Sequence, residues 1–586
     1  MKNIKAERVL VHIAPPYDEQ TVARLRASFE KQLGSPVEMK IVEDPSLING
    51  FVAYAGGMVY DRSAKNRLQA MQEFLLDSAG QTERLKTLTF DPGRVGAFLR
   101  DKIAAFEFED KAFPTGIVLS SGDEVVQIEG LRDCGYGEVI SFENNVYGLA
   151  LDLREDNVGA VLLNRGEVSP GMLVRNTGHI ANIQVGDALL GRVVDPVGMP
   201  LDGRKLATGE YRPLESPAPA LVERSQVKRP LETGVLVVDS MIPIGRGQRE
   251  LIIGDRQTGK TSLALSAILN QKGKNVVCVY CAIGQKAATV ARLVHTLRQA
   301  GAMEYTCVVA STASDFTAVQ YLAPFAACAV AEHFMREGRD TLVVYDDLSK
   351  HAAAYRAISL LLRRPSGREA YPGDIFYLHS RLLERSAQLS PACGGGSMTA
   401  LPIVETMADN ISAYIPTNLI SITDGQIYLS TDLFNAGIRP AVNVGLSVSR
   451  IGGVAQQKAL RKVSSMLRLV MAQHRDMAAF SQFGADVDAH TAAQLHKGNI
   501  LIELMKQGLD ERFTLAQETL ILAAYGHGMF AKANLTDITD WRKRLLEYAE
   551  NACATAIRGI NTTGDLPNET LRSLTATLDK FIYPEG

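Results

Sequence analysis

The sequence Leu251-Ile252-Ile253-Gly254-Asp255-Arg256-Gln257-Thr258-Gly259-Lys260-Thr261-Ser262 decides the fold of the central part of this chain. A short apolar run ends at Gly254, and an apolar helical segment, Leu263 to Leu269, follows the loop. The spacing G-x-x-x-x-G-K-[ST] between a strand and a helix predicts a phosphate-binding loop. Its glycines let backbone N–H groups turn toward phosphate oxygens, and the helix N-terminus adds a favourable dipole. We therefore expect residues 254–262 to bind a nucleoside triphosphate.

The same motif predicts a magnesium site. Lys260 would reach the β- and γ-phosphates, and the Thr261 hydroxyl would be a ligand of Mg²⁺. A second apolar strand, Leu342 to Asp346, ends in a carboxylate about 85 residues further on. Because phosphate-bound Mg²⁺ needs a carboxylate opposite the hydroxyl, usually through water, we expect Asp346 to fill that role.

Composition limits the classes of function. The chain has 586 residues, a length typical of several domains, and its formal net charge is −3. That balance gives no reason to expect nucleic acid as a partner, and we interpret the short basic run 363–368 as a solvated or intersubunit loop. The first ten residues lack the apolar core of a signal peptide, and Tyr321 to Met335 is too short and too polar to span a bilayer. Any membrane role is expected to come through a partner.

The seven cysteines have no spacing typical of a disulfide framework, which suits a reducing compartment. Cys278 and Cys281 form a C-x-x-C, but they fall in a predicted strand, where residues three apart point to opposite faces. We expect buried structural thiols there and no metal or redox centre.

The order of predicted elements divides the chain into five segments. Residues 1–80 predict a small α+β module with two strands, a helix, a hairpin turned at Gly56-Gly57, and a further helix from Arg62 to Leu76 capped by Asp61. A polar linker, 81–107, precedes glycine-punctuated strands over 108–180 that predict a small barrel or sandwich. Residues 181–456 alternate strands with helices, a pattern typical of a parallel, doubly wound sheet, and 457–586 are predicted to be helical.

Several segments resemble the alpha subunit of rotary (F-type) ATP synthases. The resemblance covers about residue 108 to the C-terminus. It lies in Pro243–Glu250, Gly254–Thr261, Ala282–Lys286, Tyr345–Lys350, Pro372–Asp374, Pro416–Gln426, Gly437–Ala441 and Ser447–Gly453. It implies a multidomain α/β protein with a β-barrel crown, a RecA-like P-loop domain and a helical C-terminal domain. It also implies a ring of three such chains alternating with three beta subunits around a central gamma stalk.

The resemblance assigns individual roles. Beta subunits of the family carry a glutamate after the P-loop that activates the attacking water, whereas this sequence has Gln285 at the matching place. A neutral amide cannot accept a proton as a carboxylate does, so the resemblance implies binding of Mg-ATP (or ADP) without turnover. On chemistry alone a glutamine can still orient water, as in some GTPases.

Two further groups of residues are carried over by the resemblance. Arg450 is implied to reach the neighbouring beta subunit's site as an arginine finger. Phe434, Arg439, Pro440 and Gln507 match the family's adenine pocket, and Leu509 stands where a second glutamine is common.

The N-terminal module resembles the C-terminal half of the delta subunit, through Asp44–Phe51 and Gly57–Ser63. That half joins the catalytic head to the peripheral stalk, and an ordinary alpha subunit lacks it. The two resemblances together imply a peripheral protein on the cytoplasmic face of a bacterial or archaeal inner membrane. The complex would move protons or sodium ions.

Two other interpretations remain at this point. One is a self-sufficient hexameric P-loop ATPase of the secretion-export or Rho type, which a glutamate at position 285 would have favoured. The other is a structural head component with a vestigial nucleotide site, against which the intact Lys260, Thr261 and Asp346 argue.

Overall fold

The computed structural model describes residues 7–55, 58–64, 67–68, 71, 112–131, 133–207, 209–481, 489–531 and 533–581. The chain divides into two units, Met1–Ile180 and Ala181–Gly586. Each unit has its own pattern of strand pairing and its own buried apolar clusters.

The first unit begins with a small α+β arrangement, as predicted. Its described elements up to residue 61 are β1 (Glu7–Ile13), α1 (Glu19–Leu33), β2 (Val37–Glu43), β3 (Phe51–Ala55) and β4 (Met58–Asp61). β1 pairs in parallel with β2 and antiparallel with β3, which pairs with β4. Alternate residues of β1, including Val9 and Val11, are buried against Phe29 of α1. The apolar face of the strand and that of the helix therefore form one core.

Local capping explains the limits of α1. Asp18 accepts a hydrogen bond from the Thr21 N–H at 2.8 Å, and Gly34 ends the helix with φ of 66°. Asp61 likewise accepts from Ser63 N at 3.0 Å. The predicted turn at Gly56-Gly57, most of the predicted helix Arg62–Leu76 and the linker 81–107 lie outside the described residues.

A closed six-stranded barrel follows in the described range 112–180. Its strands are β5 (Ala112–Gly122), β6 (Val125–Gly130), β7 (Glu138–Phe142), β8 (Tyr147–Leu153), β9 (Asn157–Leu162) and β10 (Leu173–Ile180). The order is β10-β7-β8-β9-β6-β5, and pairing of β10 with β5 closes it. The predicted barrel is confirmed. The first residues of β5 also pair with β4, with Val59 opposite Phe113.

The second unit contains a sheet of the predicted parallel kind. Its strands are β11 (Asn182–Val185), β12 (Val193–Val194), β13 (Glu210–Pro213), β14 (Leu251–Gly254), β15 (Val276–Gln285), β16 (Thr306–Thr312), β17 (Asp340–Asp346), β18 (Ser397–Glu405), β19 (Gly425–Leu429) and β20 (Val448–Ser449). The main sheet has the order β12-β16-β15-β17-β18-β14-β19-β20, and only the edge strand β20 runs antiparallel among its described pairings. β11 and β13 form a separate pair.

Helices accompany this sheet and then continue to the end of the described residues. Those between the strands are α2 (Leu236–Met241), α3 (Lys260–Leu269), α4 (Ala287–Gln299), α5 (Thr317–Arg336), α6 (Leu348–Leu361), α7 (Ile375–Leu383), α8 (Tyr414–Ile422) and α9 (Thr431–Asn435). The helical region comprises α10 (Lys458–Ser464), α11 (Leu467–Ser481), α12 (Ala489–Met505), α13 (Leu515–Gly526), α14 (Ile538–Ala552), α15 (Ala554–Thr563) and α16 (Asn568–Leu578). One apolar cluster runs from Ile252 under the P-loop to Leu520 of α13.

The C-x-x-C cysteines are buried in β15, and both are free thiols, as expected. Burial raises the pKa of the Cys278 thiol. Among the described residues, no cluster of three or more histidine, cysteine or acidic side chains could hold a metal ion. None of the helices in the described part of the protein has the length and apolar character needed to cross a bilayer.

A buried ion pair ties α5 to the segment after α7. Arg385 Nε donates to Glu332 Oε2 at 3.0 Å, and both side chains are essentially inaccessible. Arg336 donates to the other oxygen, Oε1, at 3.0 Å. Burial alone would raise the pKa of Glu332, but the attraction of Arg385 and these hydrogen bonds bring it below its ordinary value.

Glu332→Gln should therefore destabilise the second unit. It leaves Arg385 buried without its principal anion, which typically costs about 3–5 kcal/mol of unfolding free energy. Since the folded pKa of Glu332 lies below its unfolded value, the loss should be full above the unfolded pKa and shrink as the pH falls through the folded pKa. Urea unfolding of both proteins between neutral and acid pH measures the difference.

Arg336→Gln is the matched control, because it removes a half-exposed partner of the same carboxylate and should cost about 1 kcal/mol or less. Equal, small losses for both variants at neutral pH would contradict this account of the pair.

Candidate functional site

The P-loop connects β14 to α3 and wraps its backbone as the motif predicts. Gln257 and Gly259 have φ of 64° and 98°, so successive peptide groups change direction as the loop turns into the helix. Gly254 is required for a different reason: a Cβ there would lie 2.4 Å from the Leu429 carbonyl oxygen. The loop is therefore shaped by its two glycines and by its close packing on β19.

Lys260 begins α3 and is buried. Its ammonium group donates to the Gly254 carbonyl at 2.9 Å and also to that of Asp255. Burial lowers the pKa of Lys260, and nearby carboxylates, Glu405 foremost, counteract that effect. This is the position from which the predicted phosphate contact would be made.

The segment after β18 fixes the outer side of the loop. The Asp255 carboxylate accepts from the Thr406 hydroxyl and from the Asp409 N–H at 3.1 Å. Arg256 pairs with Glu405 at 2.9 Å. Within the loop, the Thr258 hydroxyl donates to the Asp255 carbonyl at 2.8 Å. The conformation of the P-loop is thus tied to a second loop that the motif does not include.

The predicted magnesium residues meet at the carboxyl ends of β14 and β17. The Thr261 hydroxyl donates to Asp346 Oδ2 at 2.8 Å, and the Tyr280 hydroxyl donates to the same oxygen. The amide of Gln285 donates to Asp346 Oδ1 at 3.1 Å. A hydroxyl beside a carboxylate is a set of hard oxygen donors that fits Mg²⁺, whose remaining ligands are normally water and phosphate.

The neighbouring Asp347 has a different role. It caps α6 by accepting from the Lys350 N–H at 2.8 Å, and Lys350 Nζ lies 3.2 Å from its other oxygen. Burial raises the pKa of Asp347 to about 6. Asp347 is therefore engaged as a helix cap and in an ion pair, and the magnesium role of Asp346 stays a prediction.

The four predicted adenine residues line a cavity of about 310 Å³ beside the P-loop. The Arg439 guanidinium lies 4.5 Å from the centre of the Phe434 ring, and Pro440 adjoins them. The cavity is also lined by Val235, Thr258, Gly259, Ser262, Leu263, Ser266, Ala441, Gly508 and Leu509. An apolar slot with an aromatic and a stacked arginine suits a planar base.

Gln507 lines this cavity, but its amide is already engaged. Oε1 accepts from the Leu236 N–H at 3.0 Å, while Nε2 donates to the Gly234 carbonyl at 2.6 Å and the Glu511 carbonyl at 2.7 Å. Both N–H groups are used, so only Oε1 could accept a further hydrogen from a base. Gln507 thereby joins the nucleotide-binding region to the helical region.

Arg450 stands apart from these residues. It follows the edge strand β20, and the strand β19 lies between β20 and the P-loop strand β14. Its side chain is exposed and donates to the Ile420 carbonyl at 3.3 Å. The structure therefore brings together the predicted phosphate, magnesium and base residues, and it places Arg450 at an edge.

Sequence reasoning missed Tyr280, Val235 and the Thr406–Asp409 loop. Tyr280 carries the only hydroxyl in the apolar run 276–284, which is a signal in hindsight. The other two follow from contacts between segments far apart in sequence, for which the sequence has no local pattern.

Family comparisons agree with this geometry. The model of the ATP synthase alpha/beta family nucleotide-binding domain matches residues 234–449, and the model of that family's C-terminal domain matches residues 456–581. The model of the ATP synthase delta (OSCP) subunit matches residues 2–75.

Curated relatives give the same result. The protein is 51% identical to "ATP synthase subunit alpha" of Acetivibrio thermocellus over 494 residues, 84% of this chain and 97% of the relative. It is 54% identical to the protein of that name from Clostridium botulinum over 465 residues, 79% of this chain and 92% of the relative. The chain therefore belongs to the ATP synthase alpha/beta family, as an alpha-type subunit that carries a delta (OSCP)-like domain at its N-terminus.

Proposed function

We propose that this chain is a regulatory subunit that binds Mg-ATP or Mg-ADP without turning it over, in the head of a proton- or sodium-driven rotary ATP synthase. The observation that carries the proposal is the Gln285 amide, which donates to the magnesium carboxylate Asp346 at 3.1 Å. A group that activates water needs a basic atom facing the γ-phosphate. Here the residue in that place is Gln285, whose neutral amide donates a hydrogen bond to Asp346.

The remaining residues of the site bind and orient the nucleotide. Residues 254–260 would surround the phosphates, and Thr261 and Asp346 would hold Mg²⁺, which when bound neutralises phosphate charge. The slot beside Phe434 and Arg439 would take the base. A site built in this way can bind the nucleotide tightly, but it offers no base for hydrolysis. The lack of a base in this proposed site disfavours a self-sufficient hexameric ATPase.

The second part of the proposal is that Arg450 is an arginine finger that acts in a neighbouring beta subunit. Among the described residues no carboxylate pairs with its guanidinium, which leaves the charge available to a partner. A finger of this kind stabilises charge on the transferring phosphoryl oxygens. The edge position after β20 is consistent with action in trans, in a ring of three alpha and three beta subunits around a gamma stalk.

The N-terminal residues 1–80 supply the third part, a link to the peripheral stalk. The delta (OSCP) family match over residues 2–75 supports it, and β1 to β4 form an ordered sheet there. The complex would lie at the cytoplasmic face of the membrane and would reach it only through other subunits. Two arginines of the basic run 363–368 contact the protein itself: Arg364 donates to the Tyr355 hydroxyl at 3.3 Å, and Arg368 lies 5.4 Å from the centre of the Tyr414 ring.

The purified protein should bind Mg-ATP and release no phosphate. With a dissociation constant of about 1 μM, 1 mM ATP would stabilise the folded state by about 4 kcal/mol. Thermal unfolding with and without Mg-ATP measures binding, and a phosphate assay measures turnover. Lys260→Ala is the control and should abolish the stabilisation. Steady phosphate release by the wild-type protein alone would instead support the hexameric ATPase.

Arg450→Ala should leave Mg-ATP binding to the isolated subunit nearly unchanged and lower ATPase turnover of a reconstituted ring by about 10³–10⁵-fold. Arg450→Lys should recover little, because an ammonium group lacks the two-pronged geometry of a guanidinium. Ring assembly is measured in parallel by sedimentation. An assembled Arg450→Ala ring with normal turnover would contradict the finger role.

Deletion of residues 1–80 should give a subunit that still enters the head but no longer couples it to the membrane sector, because the link to the stalk is lost. ATPase of the detached head should persist, while ion-driven ATP synthesis in vesicles should fail. Normal synthesis by the truncated complex would rule out the stalk link.

A further inference from the structure

Arg249, two residues before the P-loop strand β14, is tied to Asp424 by both backbone and side chain. Its Nε and Nη2 donate to the two carboxylate oxygens of Asp424 at 3.0 and 2.9 Å. Its backbone N–H donates to Asp424 Oδ2 at 3.0 Å, and the Asp424 N–H donates to the Arg249 carbonyl at 2.8 Å. Four hydrogen bonds between two residues leave little freedom at this point of the fold.

Asp424 in turn fixes the backbone of Arg450. The Arg450 N–H donates to the Asp424 carbonyl at 2.8 Å. The next pairs along the ladder are Gly425 with Ser449 and Gln426 with Val448. The direction in which the Arg450 side chain leaves β20 is therefore set by the turn that Asp424 holds.

A buried polar layer lies against this turn. Gln248 Nε2 donates to Glu250 Oε2 at 2.6 Å and to Ser449 Oγ at 3.2 Å. A Cβ on Gly425 would lie 2.5 Å from the Glu250 carboxylate, so the two segments are in close contact. Burial, and then the charge of Asp424, raise the pKa of Glu250 well above its usual range.

We propose that Arg249 and Asp424 are positioning residues that hold Arg450 in the orientation in which it reaches a neighbouring subunit's phosphoryl group. This inference rests on the finger role proposed above. The contacts run in one connected series, from Arg249, two residues before the P-loop strand, to Asp424 and then to the Arg450 backbone. The segment that precedes this subunit's own nucleotide site thereby determines the geometry offered to its neighbour's site.

The test uses rings reconstituted from this subunit with its beta and gamma partners. Asp424→Asn keeps the shape of the side chain and removes its charge, and Arg249→Lys keeps the charge and removes the paired nitrogens. Each should lower the kcat of the ring by about 10- to 100-fold, the loss typical of a catalytic group displaced by about 1 Å. The KM for ATP and Mg-ATP binding by the isolated subunit should stay unchanged.

Asp340→Asn is the matched control. Asp340 forms a similar two-nitrogen pair with Arg229, at 2.8 and 2.6 Å, in the same unit, and it has no contact with Asp424 or Arg450 among the described hydrogen bonds. It should lower the unfolding temperature at least as much as Asp424→Asn and leave kcat near the wild-type value. A merely structural role for Asp424 would make the two variants behave alike.

The same substitution made in an Arg450→Ala ring separates this inference from the finger proposal itself. In an Arg450→Ala ring, Asp424→Asn should reduce kcat no further, since residues that act through one group are not additive. Equal factors in both backgrounds, or wild-type kcat for both Asp424→Asn and Arg249→Lys, would overturn the positioning role. Wild-type kcat for Arg450→Ala would overturn the finger proposal instead.

Discussion

The hydrogen bond between the Thr261 hydroxyl and Asp346 depends on the order of strands in the parallel sheet. Parallel strands deliver their carboxyl ends to one edge, and helices that begin there point their N-termini at the same place. β14 and β17 are separated by β18, yet Thr261, which lies after the loop that follows β14, donates to Asp346, the last residue of β17, at 2.8 Å. Gly254 packs the start of the loop closely on Leu429 of β19, on the side of β14 away from β17. The proposed phosphate and magnesium contacts follow from the convergence of these strand ends.

The carboxylates at this edge of the sheet are held by several hydrogen bonds each, and these bonds make the edge rigid. Asp346 receives hydrogen bonds from Thr261, Tyr280 and Gln285, so its carboxylate is held on both oxygens. Asp255 anchors the outer loop through the Thr406 side chain and the Asp409 backbone. A buried polar network that is fully partnered resists deformation, since each lost bond leaves a desolvated group behind.

The sequence was most informative where structure is local. The P-loop, its flanking strand and helix, and Asp346 at a strand end all follow from spacing within a few residues. β18 is hard to predict from sequence, because it contains Pro402 and follows three glycines, features that argue against a central strand. The contact of Tyr280 with Asp346 depends on the register that sets Ala282 opposite Asp346, which no single segment encodes. The engagement of the Gln507 amide with the backbone near α2 was equally out of reach, because it joins residues 271 positions apart.

The pairing of β4 with β5 determines how a mechanical load on the delta-like module would reach the barrel. Three residue pairs, Met58 to Tyr60 against Ala112 to Pro114, make the delta-like sheet and the barrel one hydrogen-bonded ladder. A ladder resists sliding along the strand direction far better than a tether does, so a pull on the module is transmitted to the barrel through backbone bonds. In the proposed head, every alpha subunit brings such a module. That head would present three such modules to one stalk. Because each module is covalently part of its alpha subunit, its presence would not depend on binding affinity.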